Sequence, residues 1–203
     1  STTREEMPNI ILIQLESFFD PSYIKEASFS ADPVPTFRRL KENYSSGYLT
    51  VPSIGAGTAN TEFDILTGLP TTMIGEGTTS SFRVVHGTLP TVASVLRDQG
   101  YHNRFMHPGN SWFYNRSSVY KYFGIEQQTF KSVFEPTDEV GGFVKDTAFL
   151  RQLKAEIEAG QSPQFIYSVT IQNHQSYKYQ KYPDATPPAP TDVPLSDEAM
   201  EQL

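Results

Sequence analysis

No cysteine occurs in the 203 residues. That excludes a disulfide scaffold, a thiolate nucleophile and any cysteine-ligated metal. The redox compartment stays open, since a secreted protein can simply lack cysteine. Long apolar runs are missing too: nothing approaches the roughly 18 apolar residues of a membrane-crossing helix. No signal-peptide pattern opens the chain. Basic residues are in deficit, 16 Lys and Arg against 23 Asp and Glu, for a formal net charge of −7. That balance argues against a nucleic-acid binder, although one local basic site can coexist with an acidic surface. The chain begins Ser1-Thr2-Thr3-Arg4 without an initiating Met and reads as an excised or processed piece.

What is present is sufficient for one folded domain with a sizeable core. Hydrophobic residues make up 37% and aromatics 13%, which is globular rather than disordered composition. Residues 10–15, Ile-Ile-Leu-Ile-Gln-Leu, are too few for a helix and read as a buried strand. Pro33 and Pro35 open a helix to about Tyr44, with Val34, Phe37, Leu40 and Tyr44 on one face. A second short strand is expected over 48–51, then a Gly55/Gly57 loop and a helix from Thr58 carrying Phe63 and Leu66. Residues 68–87, rich in Gly, Thr and Ser, read as a long surface loop. A helix opens around Thr88-Leu89-Pro90 with Val92, Val95 and Leu96 as its apolar stripe and Gly100 as its stop. Residues 101–106 form a strand, 115–123 a helix ended by Gly124, and 146–159 a helix with Phe149, Leu150, Leu153 and Ile157 inward. Residues 164–171 form a strong strand; beyond Tyr182 the proline-rich stretch is irregular, and Ser196 caps a last helix. Alternating strands and helices imply an α/β fold, a layered αβα sandwich with a mainly parallel sheet, as a single domain over 1–203.

Three polar groups, Glu16, His107 and His174, fall just past expected strand C-termini, where open α/β sheets place ligands. Glu16 is either a strand-end carboxylate facing water or an oxygen ligand for a hard divalent cation. Thr58 is either a plain N-cap or a hydroxyl poised beside the positive end of a helix, where phosphate is attracted. A lone histidine is commonly a hydrogen-bonded structural residue; the matched placement of His107 and His174 is the argument for function. Arg116 is either a surface charge or a fork holding a phosphate bidentately. Trp112, Phe113 and Tyr114 are core or an amphipathic wall, and His86 and His102 read as structural.

The ordered set of motifs resembles the lipoteichoic acid synthase and phosphoglycerol transferase family of the alkaline phosphatase/sulfatase superfamily. It comprises Ile13-Gln14-Leu15-Glu16-Ser17, Gly57-Thr58-Ala59-Asn60-Thr61-Glu62-Phe63, Leu66-Thr67-Gly68-Leu69-Pro70, Gly100-Tyr101, His107-Pro108-Gly109-Asn110-Ser111-Trp112-Phe113-Tyr114-Asn115-Arg116, Tyr120-Lys121-Tyr122-Phe123-Gly124 and Thr170-Ile171-Gln172-Asn173-His174. Each motif is short; the order is specific. The resemblance implies that Glu16 and Thr58 ligate Mn2+ or Mg2+ and that Thr58 is also the nucleophile. It implies that His107, Arg116 and His174 hold the phosphate and assist leaving-group protonation, with Tyr114, Trp112 and Asn110 lining the substrate pocket. At Gly109 the polar or acidic side chain of some relatives is absent. The family completes its metal site with a downstream Asp-His pair that this sequence lacks, so the chain is expected to be the N-terminal part of the catalytic domain, truncated at its C-terminus. The implied partners are a phospholipid head group and a glycerol-bearing acceptor in the cell envelope. The implied location is the outer face of the cell membrane, anchored by helices absent here. A phosphodiesterase, a sulfatase-like hydrolase, a phosphoethanolamine transferase and an inactive binding domain are the alternatives.

Overall fold

The computed structural model describes residues 7–25, 28–51, 57–74, 80–176 and 181–182. Gly55, the proline-rich stretch and the helix expected at Ser196 lie outside the described residues. The strands are β1 (Ile10–Gln14), β2 (His102–Met106), β3 (Gln127–Thr129), β4 (Glu139–Val140), β5 (Phe143–Val144) and β6 (Gln164–Val169). The helices are α1 (Pro35–Asn43), α2 (Thr58–Thr67), α3 (Val92–Asp98), α4 (Arg116–Tyr122) and α5 (Asp146–Ala159). The chain divides into two compact units, one of residues 1–16 and 50–172, the other of residues 17–49 and 173–203.

The first unit carries a four-stranded sheet in the order β1-β6-β2-β3. All three pairings are parallel. β6 and β2 are the inner strands, and all six residues of β6 are buried. Its period-2 alternation sorts side chains to two faces. Phe165, Tyr167 and Val169 join Phe105 in a core with Ala59, Phe63 and Leu66 of α2, Ala93 of α3, and Val119 and Tyr120 of α4. Ile166 joins Met106 in a core with Phe149 and Leu153 of α5. One sheet thus separates helices on one face from α5 on the other, the expected αβα layering.

Several local expectations are corrected. β1 is an outer strand, so Ile10, Ile11, Leu12 and Ile13 stay 36–38% exposed rather than buried. No strand forms over residues 48–51. The segment after Gly68 is not wholly surface: a short 3-10 turn over Ser81–Val84 inserts Phe82, 2% exposed, beneath Tyr120 and Phe123. α3 starts later than expected, at Val92, because Thr91 and Ser94 form a reciprocal capping box. It buries Ala93, while Val92 and Val95 face out. On α5, Leu150 is exposed, whereas Phe149 and Leu153 are buried. The β4–β5 hairpin and β3 were not expected; each is only two or three residues long.

In the second unit, α1 begins at Pro35 and runs through Asn43. Arg38 on α1 pairs with Asp32 at 2.7 Å and with Asp20 at 3.3 Å. Phe18 packs against Phe37 with centroids 4.9 Å apart.

Candidate active site

Parallel register brings the C-terminal ends of β1, β6 and β2 to one edge. Gln14 pairs with Val169, and Met106 with Ser168. Glu16 and His107 follow directly. The Glu16 backbone N–H donates to Thr170 Oγ1 at 3.0 Å, and Thr170 N–H donates to the Gln14 carbonyl at 3.0 Å. Thr170, 2% exposed, therefore ties the end of β1 to the end of β6.

α2 enters this edge by its N-terminus. Gly57 is the N-cap, at φ 84°, and Thr58 is the first helical residue. A left-handed φ suits glycine, which has no Cβ to clash. Thr58 is thus not the cap itself. Its hydroxyl donates to Glu16 Oε1 at 2.6 Å, across 42 residues of sequence. The two candidate metal ligands meet as a charge-assisted pair of oxygens beside the unpaired N–H groups of a ten-residue helix.

His107 is buried, and its Nδ1 lies 3.0 Å from the Val169 carbonyl. A carbonyl only accepts, so Nδ1 carries a proton. Gly109 explains its own identity: a Cβ there would lie 2.4 Å from His107 Nε2. The ring occupies the space that a side chain at Gly109 would need.

Arg116 is the first residue of α4 and only 1% exposed. Its guanidinium grips a second fully buried group, Glu62: Nη2 donates to Oε1 at 2.5 Å and Nε to Oε2 at 3.1 Å. Tyr120, also buried, donates its O–H to Glu62 Oε2 at 2.6 Å. Burial would push the Glu62 carboxyl up, but the charge and hydrogen bonds of Arg116, with smaller help from His107 and Tyr120, hold it below its ordinary value. Burial likewise works against the Arg116 cation, but the Glu62 carboxylate more than offsets it, with a further contribution from Glu16. Arg116 is therefore not a surface charge, one of its two readings from sequence. Two of its nitrogens already serve Glu62. Nη1 is buried with no hydrogen-bond partner.

The chain approaches Arg116 through strained backbone. Tyr114 and Asn115 sit at φ 57° and 55°, and Ser17, next to Glu16, at 55°. These are the described non-glycine residues with positive φ. Such positions cost about 1–3 kcal/mol each and concentrate at functional sites. Arg116 Cζ lies 5.1 Å from the Tyr114 ring centroid, a cation–π contact. Phe113 packs on Tyr114 at 4.5 Å, and Trp112, 71% exposed, packs edge-on to Phe113. Asn110 is exposed, with its carbonyl accepting the Phe113 N–H.

His174 belongs to the second unit, where its Nδ1 lies 2.7 Å from the Gln175 carbonyl and its own carbonyl accepts from Lys181 Nζ. Sequence reasoning missed Glu62, Tyr120 and Thr170 as supports. A signal existed for Glu62: with Ala59, Phe63 and Leu66 it completes the buried 59-62-63-66 stripe of α2, an acid where the 3.6-residue period calls for an apolar side chain.

Among the described residues no group of three or more His, Asp or Glu converges to hold a metal ion. Glu16 and Thr58 supply two oxygen donors of the right hardness, and a hard divalent cation takes about six or more. The pair fits part of such a site and not the whole. No helix among the described residues is long and apolar enough to cross a membrane.

Comparison with known proteins decides the family: the Sulfatase family model matches residues 8–194. The chain belongs to the Sulfatase family. A Rhizobium meliloti (strain 1021) protein named for cyclic beta-1,2-glucan modification is 30% identical over 196 residues, 97% of this chain and 30% of that protein. Lipoteichoic acid synthase of Staphylococcus saprophyticus is 28% identical over 181 residues, 83% of this chain and 27% of that enzyme. This Sulfatase-family chain therefore spans under a third of the length of these relatives. Among solved structures, Streptococcus pyogenes phosphoglycerol transferase GacH, in complex with sn-glycerol-1-phosphate, superposes with a TM-score of 0.78 at 24% identity, covering 96% of this chain and 51% of that one. The Listeria monocytogenes lipoteichoic acid synthase LtaP superposes with a TM-score of 0.67 at 20% identity, covering 84% and 42%. At these identities the structural likeness establishes the fold, that of the alkaline phosphatase superfamily with its mainly parallel sheet.

Proposed function

We propose that the protein is a phosphoglycerol transferase, moving glycerophosphate from a phosphatidylglycerol-like lipid to a glycan or polyglycerolphosphate acceptor through a covalent intermediate on Thr58. The observation that carries this reading is the Thr58 hydroxyl on Glu16 Oε1 at 2.6 Å, at the N-terminus of α2. A nucleophile on a carboxylate, beside helix N–H groups, is suited to a phosphate ester. The names of the lipoteichoic acid synthase and phosphoglycerol transferase relatives support the same substrate class.

In the first step Thr58 Oγ1 gives its proton to Glu16 and bonds to phosphorus as the bond to the diacylglycerol oxygen breaks. The leaving oxygen takes a proton from a histidine. His107 suits that role, with Nδ1 engaged by the Val169 carbonyl and Nε2 able to carry and release the proton. In the second step an acceptor hydroxyl gives its proton back to the histidine and attacks the glycerophosphoryl group, and the Thr58 oxygen leaves and regains its proton from Glu16. Two easier steps replace one difficult one. Arg116 Nη1 offers a donor to a phosphoryl oxygen, and Tyr114, Trp112 and Asn110 line the glycerol side. Glu16 and Thr58 would hold a manganese or magnesium ion together with ligands from elsewhere in the protein. A bound ion of this kind lowers the pKa of a coordinated hydroxyl.

The reading places the domain on the outer face of a cell membrane, anchored by segments outside this chain. The test is Thr58→Ala in the complete protein, assayed by diacylglycerol release from phosphatidylglycerol. Loss of release is expected, and retained release removes Thr58 as nucleophile. Products formed with and without a glycerol-bearing acceptor separate transfer from hydrolysis.

A further inference from the structure

Thr58 and Glu62 are four residues apart on α2 and so share one face of the helix. The helix that presents the hydroxyl also presents the carboxylate that grips Arg116, one turn further along. Glu62 takes the Arg116 Nε and Nη2 donors at 3.1 and 2.5 Å. Tyr120 supplies a third hydrogen bond to the same carboxylate at 2.6 Å, and the Tyr120 ring is clamped on Phe105 at 3.5 Å between centroids. These contacts orient the guanidinium plane. One nitrogen is left over, Nη1, buried and without a partner. Native proteins seldom leave a buried N–H unpaired, and an unpartnered nitrogen beside two that are held marks a direction from which an acceptor comes.

The pair also settles a charge question. Arg116 and Glu62 are 1% and 0% exposed, in an environment where opposite charges in contact cancel strongly. To an incoming ligand Arg116 is a directed hydrogen-bond donor with little net charge. A phosphodiester carries one negative charge. A phosphomonoester, with a second pKa near 6, carries close to two at neutral pH. An unmasked arginine would favour the dianion, and a neutralised one removes that advantage.

Resting on the phosphodiester reading above, we propose that Glu62 is a positioning and specificity-determining residue: it orients Arg116 so that Nη1 meets a single non-bridging phosphoryl oxygen, and it masks the arginine charge so that the site accepts diester monoanions rather than monoester dianions.

The test uses the complete protein with its metal and two variants. Glu62→Gln keeps the shape and unmasks the charge. Glu62→Asp keeps the charge and withdraws the carboxylate by one methylene. Binding of glycerol 1-phosphate, a monoester, and glycerophosphoglycerol, a diester, is measured by calorimetry, and turnover by diacylglycerol release from phosphatidylglycerol. Glu62→Gln should shift the ratio of the two affinities toward the monoester by about tenfold or more, the change expected when one charge contact is exposed at low dielectric. Glu62→Asp should leave that ratio in place and lower kcat by about 100-fold, the effect of a misplacement near 1 Å. A ratio that moves less than about threefold in Glu62→Gln, or wild-type kcat in Glu62→Asp, overturns the proposal. If Glu62→Gln does not fold, Glu62→Asp decides alone. A merely structural Glu62 would scale activity with the folded fraction and move neither the affinity ratio nor the kcat of folded molecules. Should the wild type release no diacylglycerol, the transferase reading falls, while the calorimetric ratio still judges Glu62.

Discussion

Tyr120→Phe isolates one bond of the buried cluster. The substitution removes the O–H that donates to Glu62 Oε2 at 2.6 Å. It leaves the ring stacked on Phe105, so little packing is lost. Glu62 keeps both Arg116 contacts, and the loss is therefore one hydrogen bond to a buried carboxylate, about 1.5–3 kcal/mol. For a chain of this length 1 kcal/mol moves the melting midpoint by about 2–4 °C, which gives a fall of about 3–12 °C. The effect should depend on pH in one direction. Burial raises the Glu62 carboxyl, but Arg116 outweighs it and the folded group sits below the ordinary 4.5. A carboxylate depressed in the folded state contributes stability that is present above its unfolded value and is lost as pH falls through its folded value. Once Glu62 is protonated, the tyrosine faces a neutral acceptor, whose hydrogen bond is worth about 0.5–1.5 kcal/mol. Urea unfolding followed by far-UV circular dichroism at pH 7 and at successive values below 4.5 measures both quantities. A difference under about 0.5 kcal/mol at pH 7, or one that does not shrink in acid, would refute the cluster as the source of the stability.

Gly109→Ala introduces a Cβ whose position lies 2.4 Å from His107 Nε2; displacement of the ring should cut diacylglycerol release about 100-fold while the melting midpoint moves little, and unchanged turnover would exclude His107 from the chemistry. Asp146 is the opposite electrostatic case to Glu62. Burial lifts its carboxyl, a lesser lowering comes from backbone hydrogen bonding with Gln172, and Oδ1 is buried with no partner. An acid raised in the folded state loses stability as pH rises through its unfolded and then its folded value. Asp146→Asn should therefore gain on the wild type in melting midpoint between pH 4 and pH 8, and a constant difference across that range would contradict the assignment.

Much of the architecture is written locally. Strand and helix periods, the prolines at the start of α1, and Gly124 and Gly160 beyond α4 and α5 depend on neighbours a few residues away, and those elements were legible. The α5 limits match in full. Burial was less legible, because it depends on which strand lies at the sheet edge. Ile10–Gln14 and Gln164–Val169 carry similar apolar signals, yet one is an outer strand with a neighbour on one side and the other is enclosed on both. α3 shows the same limit: its valines look like a core stripe, but the helix is rotated to bury Ala93.

The candidate site divides along the same line. By itself the sequence determined which chemical groups are present and where on the chain: an acid after a strand at Glu16, a hydroxyl at a helix start at Thr58, a histidine after a strand at His107, and the motif order that places them in one family. It also determined what is absent, above all cysteine. Only the tertiary structure decided the partnerships. Glu16 and Thr58 are 42 residues apart, Glu62 and Arg116 are 54, and Glu16 and Thr170 are 154. No local period encodes such pairings. They come from parallel register and from the burial of charges that must then find partners. For that reason Arg116 read from its neighbours alone as either a surface charge or a phosphate fork, and only the structure shows it buried with Nε and Nη2 on Glu62.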